Sequence, residues 1–387
     1  MKNCNVSVFV DYYQAGLFFL EVASKDKSRN YVFFTPLLSV YFFAKRRGFK
    51  VVLLTHRQGK YLTLESLKDT REFVSGSLSN IDIINYANGT VSHVHSCGLK
   101  FEYSLCWNGT DILGEVSRYL KDNGVVQKTI FCEISNLPGL LFKDPVGVNA
   151  KSSLMIEKKW YSDGKYNEIH DRWISDYIVK KSNKLPPQAM LIKKVSPRLI
   201  MDIPSVLGLT LLKYSKEHIL NKLKFKFFRK KIKFDFPYEN VSEDYVFFPM
   251  QVSDDSQLLL NSDVNNVEAI IKILTIEKGT VVVVKPHPAE QNINFINEVI
   301  SRFSDKVVFS KHDTFDLISR SKRVYTINST VGLEARLLGK DVTFFGKSPI
   351  SNFNQQDIQY YIHEYLINID FFDPLNINVS EVEKLYI

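Results

Sequence analysis

The sequence predicts an α/β protein made of two Rossmann-like domains facing across a cleft, and three observations carry that prediction. Short apolar runs rich in Val, Ile and Phe alternate with helical patterns in both halves of the 387-residue chain. Several of these runs end in polar clusters. A Pro-rich, strongly basic stretch separates the halves. Strand, helix, strand at this spacing means parallel crossovers, and the length exceeds one ordinary core and suits two domains.

In the N-terminal half, Tyr31 to Thr35 reads as a buried strand, Leu37 to Arg47 as a helix ended by Gly48, and Val51 to Thr55 as the next strand. The alternation recurs with Ser104 to Trp107 as strand, Ile112 to Asp122 as helix with Gly124 after it, and Thr129 to Glu133 as strand. Between 134 and 240, Pro138, Pro145, Pro186, Pro187, Pro197 and Pro204 interrupt the pattern, while Val206 to Leu223 reads as helical. The C-terminal half restarts with strand Tyr245 to Pro249. Three helix-strand units follow: helix near Val267 to Leu274 and strand Val281 to Lys285, helix near Phe295 to Phe303 and strand Val307 to Phe309, helix Thr314 to Arg320 and strand Val324 to Ile327. A helix from Thr330 to Leu338, then Gly339 and strand Val342 to Phe345, completes that half, and Asp357 to Tyr365 reads as a tail helix. The expected division is an N-terminal α/β domain over 1–157, a basic, partly helical linker over 158–240, a C-terminal α/β domain over 241–350 and a helical tail over 351–387.

Hydrophobic content of 45% and charged content of 24% fit a globular chain rather than a disordered or fibrous one. No uncharged apolar run reaches the roughly 18 residues that a spanning helix needs, and no basic segment leading into an apolar export signal opens the chain. Cys4, Cys97, Cys106 and Cys132 show no Cys-x-x-Cys pair and no framework spacing, as in a reducing compartment. The expectation is a cytoplasmic protein. His93, His95 and Cys97 alternate; in a strand they share one face, but without a distant second ligand set the pattern reads as a polar strand face before it reads as a metal site.

The net charge of +8 is concentrated in one segment. From Ile178 to Phe234 there are fifteen Lys or Arg against two acids, a local +13 that leaves −5 for the rest. Its densest part, Lys222 to Lys233, interleaves seven cations with aromatic and aliphatic side chains. An anionic membrane surface is the favoured partner, because cations meet headgroups while rings enter the acyl boundary. A nucleic-acid footprint uses the same residue types, but no recognition motif accompanies them. A solvated basic face with its rings packed on the protein is the third reading.

The chemistry lies between Phe247 and Gly346, where three polar clusters end predicted strands: Gln251-Val-Ser-Asp254-Asp255, Lys285-Pro-His287-Pro288-Ala-Glu290, and Asn328-Ser329-Thr330-Val-Gly332-Leu-Glu334. Carboxyl ends of parallel strands converge on one crevice. Asn328, Ser329 and Thr330 lie between a strand and a helix, where an anion is favoured; a plain N-cap is the alternative. Glu334, one turn on, reaches a ribose hydroxyl or complements the helix dipole. Two prolines fix the backbone around His287, which serves a leaving phosphate, acts as an acid near neutral pH, or is structural. The Asp254-Asp255 pair is a nucleophile or base, or a solvated turn. A carboxylate pair, an imidazole and a hydroxyl cluster are the inventory of glycosyl transfer from a nucleotide-activated sugar.

These phrases, in this order, resemble the bacterial capsule polysaccharide synthesis family, the retaining β-Kdo transferases of capsule and some O-antigen assembly. The resemblance extends from Phe-Phe-Pro-Met-Gln251 through Lys285-Pro-His287-Pro288 and Asp313-Thr-Phe-Asp316 to Phe345-Gly346. It is weaker at Trp107-Asn-Gly, Phe131-Cys-Glu133 and Asp144-Pro-Val-Gly147-Val-Asn149. It implies a GT-B-like enzyme that moves Kdo from CMP-β-Kdo to a glycan or glycolipid acceptor with retained configuration. By position, Asp255 is then the nucleophile of a covalent intermediate, and His287 assists departure of CMP. Gln251 lies in the donor site, Lys285 is a cation for phosphate or sugar carboxylate, and Asn328, Ser329 and Thr330 hold the CMP phosphate. No metal or other cofactor is expected, since helix dipole, Lys and His supply the countercharge. Glu133 is the candidate acid/base at the end of an N-terminal strand. The family phrase continues with Gly where this chain has Ser135, and a structural Glu holding the following loop is the alternative. Two rival readings are a transferase for another CMP-activated nonulosonic acid and a non-catalytic glycan- or lipid-binding member of a capsule assembly complex.

Overall fold

The computed structural model describes residues 4–156, 166–182, 201–206, 208–211, 244–253, 256–288, 290, 298, 301–303 and 306–387. The chain divides into two compact units that are not contiguous in sequence. The first comprises, among described residues, 4–156, 201–206, 208–211 and 364–387; the second comprises 166–182 and 244–363. The helix Asn167–Ser182, expected in the linker, therefore belongs to the second unit, and the end of the expected tail belongs to the first.

The first unit holds a six-stranded sheet of β1 (Cys4–Phe9), β2 (Arg29–Thr35), β3 (Lys50–Leu53), β4 (Phe101–Trp107), β5 (Val126–Ile134) and β6 (Leu141–Asp144), in the order β3-β2-β1-β4-β5-β6. The first five are parallel, and β6 pairs antiparallel with β5, setting Glu133 opposite Phe142. The central strand β1 and the helices Tyr13–Lys25 and Asn80–Ser96 were not among the expected elements. Helix Ile112–Asp122 has the expected bounds because Asp111 caps it, its carboxylate accepting from the Gly114 amide at 2.9 Å.

The His93, His95 and Cys97 expectation is corrected here. Asn80–Ser96 is a helix whose N-cap, Ser79, accepts from the Asp82 amide, and Cys97 is its C-cap. Residues two apart on a helix point to nearly opposite sides. His93 is buried and its Nε2 accepts from the Thr55 amide at 3.1 Å, whereas His95 is exposed and lies against the Tyr61 ring.

The C-terminal segment completes this unit's core. Ile367, Ile369, Phe371, Ile377, Val382 and Leu385 are buried with Val6, Phe18 and Leu105, and Phe371 stacks on Trp107 at 4.2 Å. The helix Gln355–Tyr360 passes into a π-helical turn, Tyr361–Tyr365, where one helix had been expected over Asp357 to Tyr365.

The second unit holds a five-stranded, all-parallel sheet of β7 (Tyr245–Pro249), β8 (Val281–Lys285), β9 (Val307–Phe309), β10 (Arg323–Thr326) and β11 (Val342–Phe344), ordered β11-β10-β7-β8-β9. Alternation along each strand sorts side chains onto two faces. Val246, Phe248, Val282 and Val284 meet Ala269, Ile270 and Ile273 of helix Asn266–Ile276. Tyr245, Phe247 and Val283 meet Leu317 and Ile318 of helix Thr314–Arg320 and Ala335 of helix Val331–Leu337. Burial on both faces explains the uninterrupted apolar runs. Both sheets are doubly wound, and strand order reverses between β1 and β4 and between β7 and β10. Those reversals are where such sheets open a crevice at their carboxyl ends.

Candidate functional site

In the second unit the reversal brings the ends of β7 and β10 together. After Pro249 the chain continues through Met250 to Gln251, which is buried. The Gln251 side chain lies against Asn328, two residues past β10: its Nε2 donates to Asn328 Oδ1 at 2.7 Å, and its Oε1 accepts from the Asn328 amide at 2.9 Å. Asn328 Nδ2 donates in turn to the Gln257 carbonyl at 2.9 Å. The Gln251 backbone is held by Asn266, whose Oδ1 accepts from its amide at 3.1 Å and whose Nδ2 donates to its carbonyl at 2.8 Å. The side chains of Gln251, Asn266 and Asn328, from three separate segments, thus form one network.

The β7 loop is tied to the β8 loop as well. Glu290 is buried, and its Oε2 accepts from both the amide and the hydroxyl of Ser253, each at 2.7 Å. Its own amide donates to the His287 carbonyl at 2.9 Å, which closes the Lys285–Glu290 loop into a turn. His287 is half-buried on that turn. Lys285 spends two of its donors on the loop after β9, bonding the His312 carbonyl at 2.7 Å and Thr314 Oγ1 at 2.9 Å, and burial lowers its pKa.

Ser329 and Thr330 are half-buried at the start of helix Val331–Leu337. Thr330 occupies the N-cap without a side-chain capping bond, while Ser329 Oγ accepts from the Val331 amide at 3.3 Å. Gly332 lets this helix close onto the sheet, since a Cβ there would meet the Phe344 ring at 2.4 Å. Glu334 is only 1% exposed, and its Oε1 accepts from the Tyr177 hydroxyl at 3.0 Å. Tyr177, from helix Asn167–Ser182, stacks on Trp173 at 5.1 Å. The described surroundings of Glu334 are therefore a buried protein network.

Glu133 lies in the first unit, one residue before the end of β5. Its Oε1 accepts from the Ile134 amide at 3.0 Å, and its Oε2 accepts a short bond from the Asn108 side-chain amide. Burial pushes its pKa up to about 7, against the opposing pull of those two donors and of Arg71. Arg71 itself pairs with the buried Glu72 at 2.9 Å. Asp254 and Asp255, and the basic segment Lys222 to Lys233, lie outside the described residues. Among the described residues no group of three or more His, Cys, Asp or Glu gathers as for a metal ion, and no helix is long and apolar enough to cross a membrane.

Sequence reading missed Asn266, Glu290, Tyr177 and Asn108 as site-building residues. Glu290 and Asn108 had a visible signal, the first following His287 on its Pro-flanked loop and the second preceding Gly109 at a strand end. Asn266 and Tyr177 act across the fold, and nothing local marks them.

Residues 208–353, which contain this whole network apart from Tyr177 and Trp173, match the family model for capsule polysaccharide biosynthesis proteins. This segment is similar to the capsule polysaccharide biosynthesis family. A curated relative, protein FixF of Sinorhizobium fredii (strain NBRC 101917 / NGR234), is 26% identical over 239 residues, covering 60% of this chain and 45% of FixF. The chain thus spans about half the length of that relative. Among solved structures, the chain is similar to the β-Kdo 2,7 transferase of Thermosulfurimonas dismutans KpsC, at 14% identity with a TM-score of 0.48 over 98% of each chain. It is also similar to the β-Kdo 2,4 transferase of the same KpsC, at 15% identity with a TM-score of 0.42 over 74% of this chain and 87% of that one. Gln251, Lys285, His287, Asn328, Ser329, Thr330 and Glu334 all fall within the matched residues.

Proposed function

We propose that the chain is a glycosyltransferase of surface polysaccharide synthesis that moves Kdo from CMP-β-Kdo to a glycan or glycolipid acceptor with retained configuration. The observation that carries this reading is the Gln251–Asn328 pair, which binds the two capsule-family loops into one crest at the β7/β10 reversal. Such a crest is where open α/β sheets hold nucleotides. Asn328, Ser329 and Thr330 then receive the CMP phosphate, with Lys285 and His287 on the adjoining β8 loop as its cationic and hydrogen-bonding neighbours. Gln251 and Glu334 support that pocket from the network described above.

Retention follows from two displacements. The Asp255 carboxylate attacks the anomeric carbon of Kdo, the bond from that carbon to the phosphate oxygen breaks, and CMP leaves with the electron pair while His287 donates a hydrogen bond to its phosphate. The acceptor hydroxyl next attacks the same carbon from the opposite face, its proton passes to Glu133, and Asp255 is released as carboxylate. A group with a pKa of about 7 is suited to that transfer near neutral pH. No metal is invoked in either step. We place the enzyme on the cytoplasmic side, with Lys222 to Lys233 against anionic lipid.

The experiment is intact-mass and CMP-release measurement on protein given freshly generated CMP-Kdo. A Kdo-sized adduct on Asp255, lost in Asp255→Ala, supports the donor, the retention and the nucleophile together. CMP release from another CMP-sugar but not from CMP-Kdo would replace the donor, and full turnover by Asp255→Ala would remove the covalent route.

A further inference from the structure

The turn after β4 is built with more constraint than a strand end needs. Asn108 has a φ of 68°, a left-handed conformation that costs a non-glycine residue free energy, and Gly109 follows at 74°. Glycine is needed at this turn, because a Cβ on Gly109 would meet the Phe131 ring at 2.3 Å and a Cβ on Gly114 would meet the Gly109 backbone. The Asn108 amide donates to the Cys132 carbonyl at 2.7 Å, which fixes the turn beside β5.

The Asn108 side chain has an assigned orientation. Asn108 Oδ1 accepts from the Thr110 amide at 3.3 Å and from the Thr110 hydroxyl, so its NH2 group is the end that faces Glu133. Glu133 Oε2 therefore meets a donor that has no lone pair to receive a proton, and Oε1 meets another in the Ile134 amide. A proton on Glu133 must occupy a lone pair that neither donor faces. The charged groups around it are Arg71, which favours the carboxylate, and Asp111, which opposes it.

We propose that Asn108 is a positioning residue, which orients the Glu133 carboxylate so that its proton-exchanging lone pair faces away from the β4 turn and toward an incoming acceptor hydroxyl. This rests on the reading of Glu133 as the acid/base. Asn is suited to the place because it tolerates the left-handed backbone and carries both an acceptor for Thr110 and a donor for Glu133. An Asp keeps the first two properties and loses the third.

The test is a titration of 13Cδ-labelled glutamate by NMR in wild type, Asn108→Asp and Asn108→Gly, with the Glu133 resonance identified by its loss in Glu133→Gln. Gly keeps the backbone conformation, so at least one variant retains the turn. Loss of the donor should raise the Glu133 midpoint by about half a pH unit or more, and further in Asn108→Asp, where a second carboxylate adjoins it. The low-pH limb of kcat should move upward by the same amount, with KM for the donor little changed. A Glu133 midpoint that stays at the wild-type value in both variants overturns the role of Asn108. Full turnover by Glu133→Gln instead overturns the acid/base reading beneath it, and the two failures are read from different measurements.

Discussion

Gln251 and Asn328 satisfy each other completely enough to act as one unit: amide to amide at 2.7 Å and backbone to side chain at 2.9 Å, between strands that adjoin only because β10 lies beside β7. Gln251→Ala removes both bonds and leaves the amide and Oδ1 of half-buried Asn328 without these partners, at a cost of about 1 kcal/mol or more. The expected outcome is a lower midpoint of thermal unfolding together with a fall in CMP release of tenfold or more. Gln251→Glu keeps an acceptor for the Asn328 amide but loses the donor to Asn328 Oδ1, and an intermediate loss is expected in the same two assays.

Glu290 predicts a different balance of effects. It joins the Ser253 end of the β7 loop, which leads directly to Asp254 and Asp255, to the loop that carries His287. On the proposed mechanism, Glu290→Ala should reduce kcat more than it reduces stability, because it unties the Ser253 loop from the His287 loop while leaving both cores of the unit intact. A tenfold or larger loss of kcat with a destabilisation of about 1–2 kcal/mol is expected, measured by initial rates and by urea unfolding.

Much of this fold was legible because its elements repeat a simple pattern. Strands Tyr245–Pro249, Val281–Lys285 and Val307–Phe309 and helices Ile112–Asp122 and Thr314–Arg320 fall where apolar period and caps placed them. The alternation of His93 and His95 misled because polar residues two apart are compatible with a strand, while the Ser79 cap that starts a helix there lies fourteen residues upstream. Individual site residues such as Gln251 and Asn328 could be named from their strand ends. Their pairing could not, because it depends on strand order, and neither could the donation from Tyr177 to Glu334, which depends on a helix far upstream in the chain.

The C-terminal segment gives a prediction about stability alone. Phe371 is buried, stacks on Trp107 at 4.2 Å and lies 5.4 Å from the Phe18 ring. Phe371→Ala should destabilise the first unit by about 3–5 kcal/mol, the range for emptying an aromatic site in a core. Denaturant unfolding followed by tryptophan fluorescence would register it, since Trp107 reports directly on the contact. A change below about 1 kcal/mol would mean that the Phe371 ring adds little to the stability of this core.

Glu133 makes stability depend on pH with a definite sign. Its pKa rises from 4.5 in the unfolded chain to about 7 in the folded one, so between those values the folded state binds more protons than the unfolded state. Stability contributed at this position is therefore greatest at low pH and is lost as pH rises from 4.5 through about 7. Glu133→Gln carries no charge at any pH and removes that loss. The variant should gain stability relative to wild type as pH rises through this window, by on the order of 1–3 kcal/mol, and the difference should level off above it. Paired unfolding curves at pH 5, 6, 7 and 8 provide the measurement. A difference that is flat across the four would mean that Glu133 titrates as an ordinary carboxylate, and the burial that lifts its pKa would have to be abandoned as the reason it suits proton transfer.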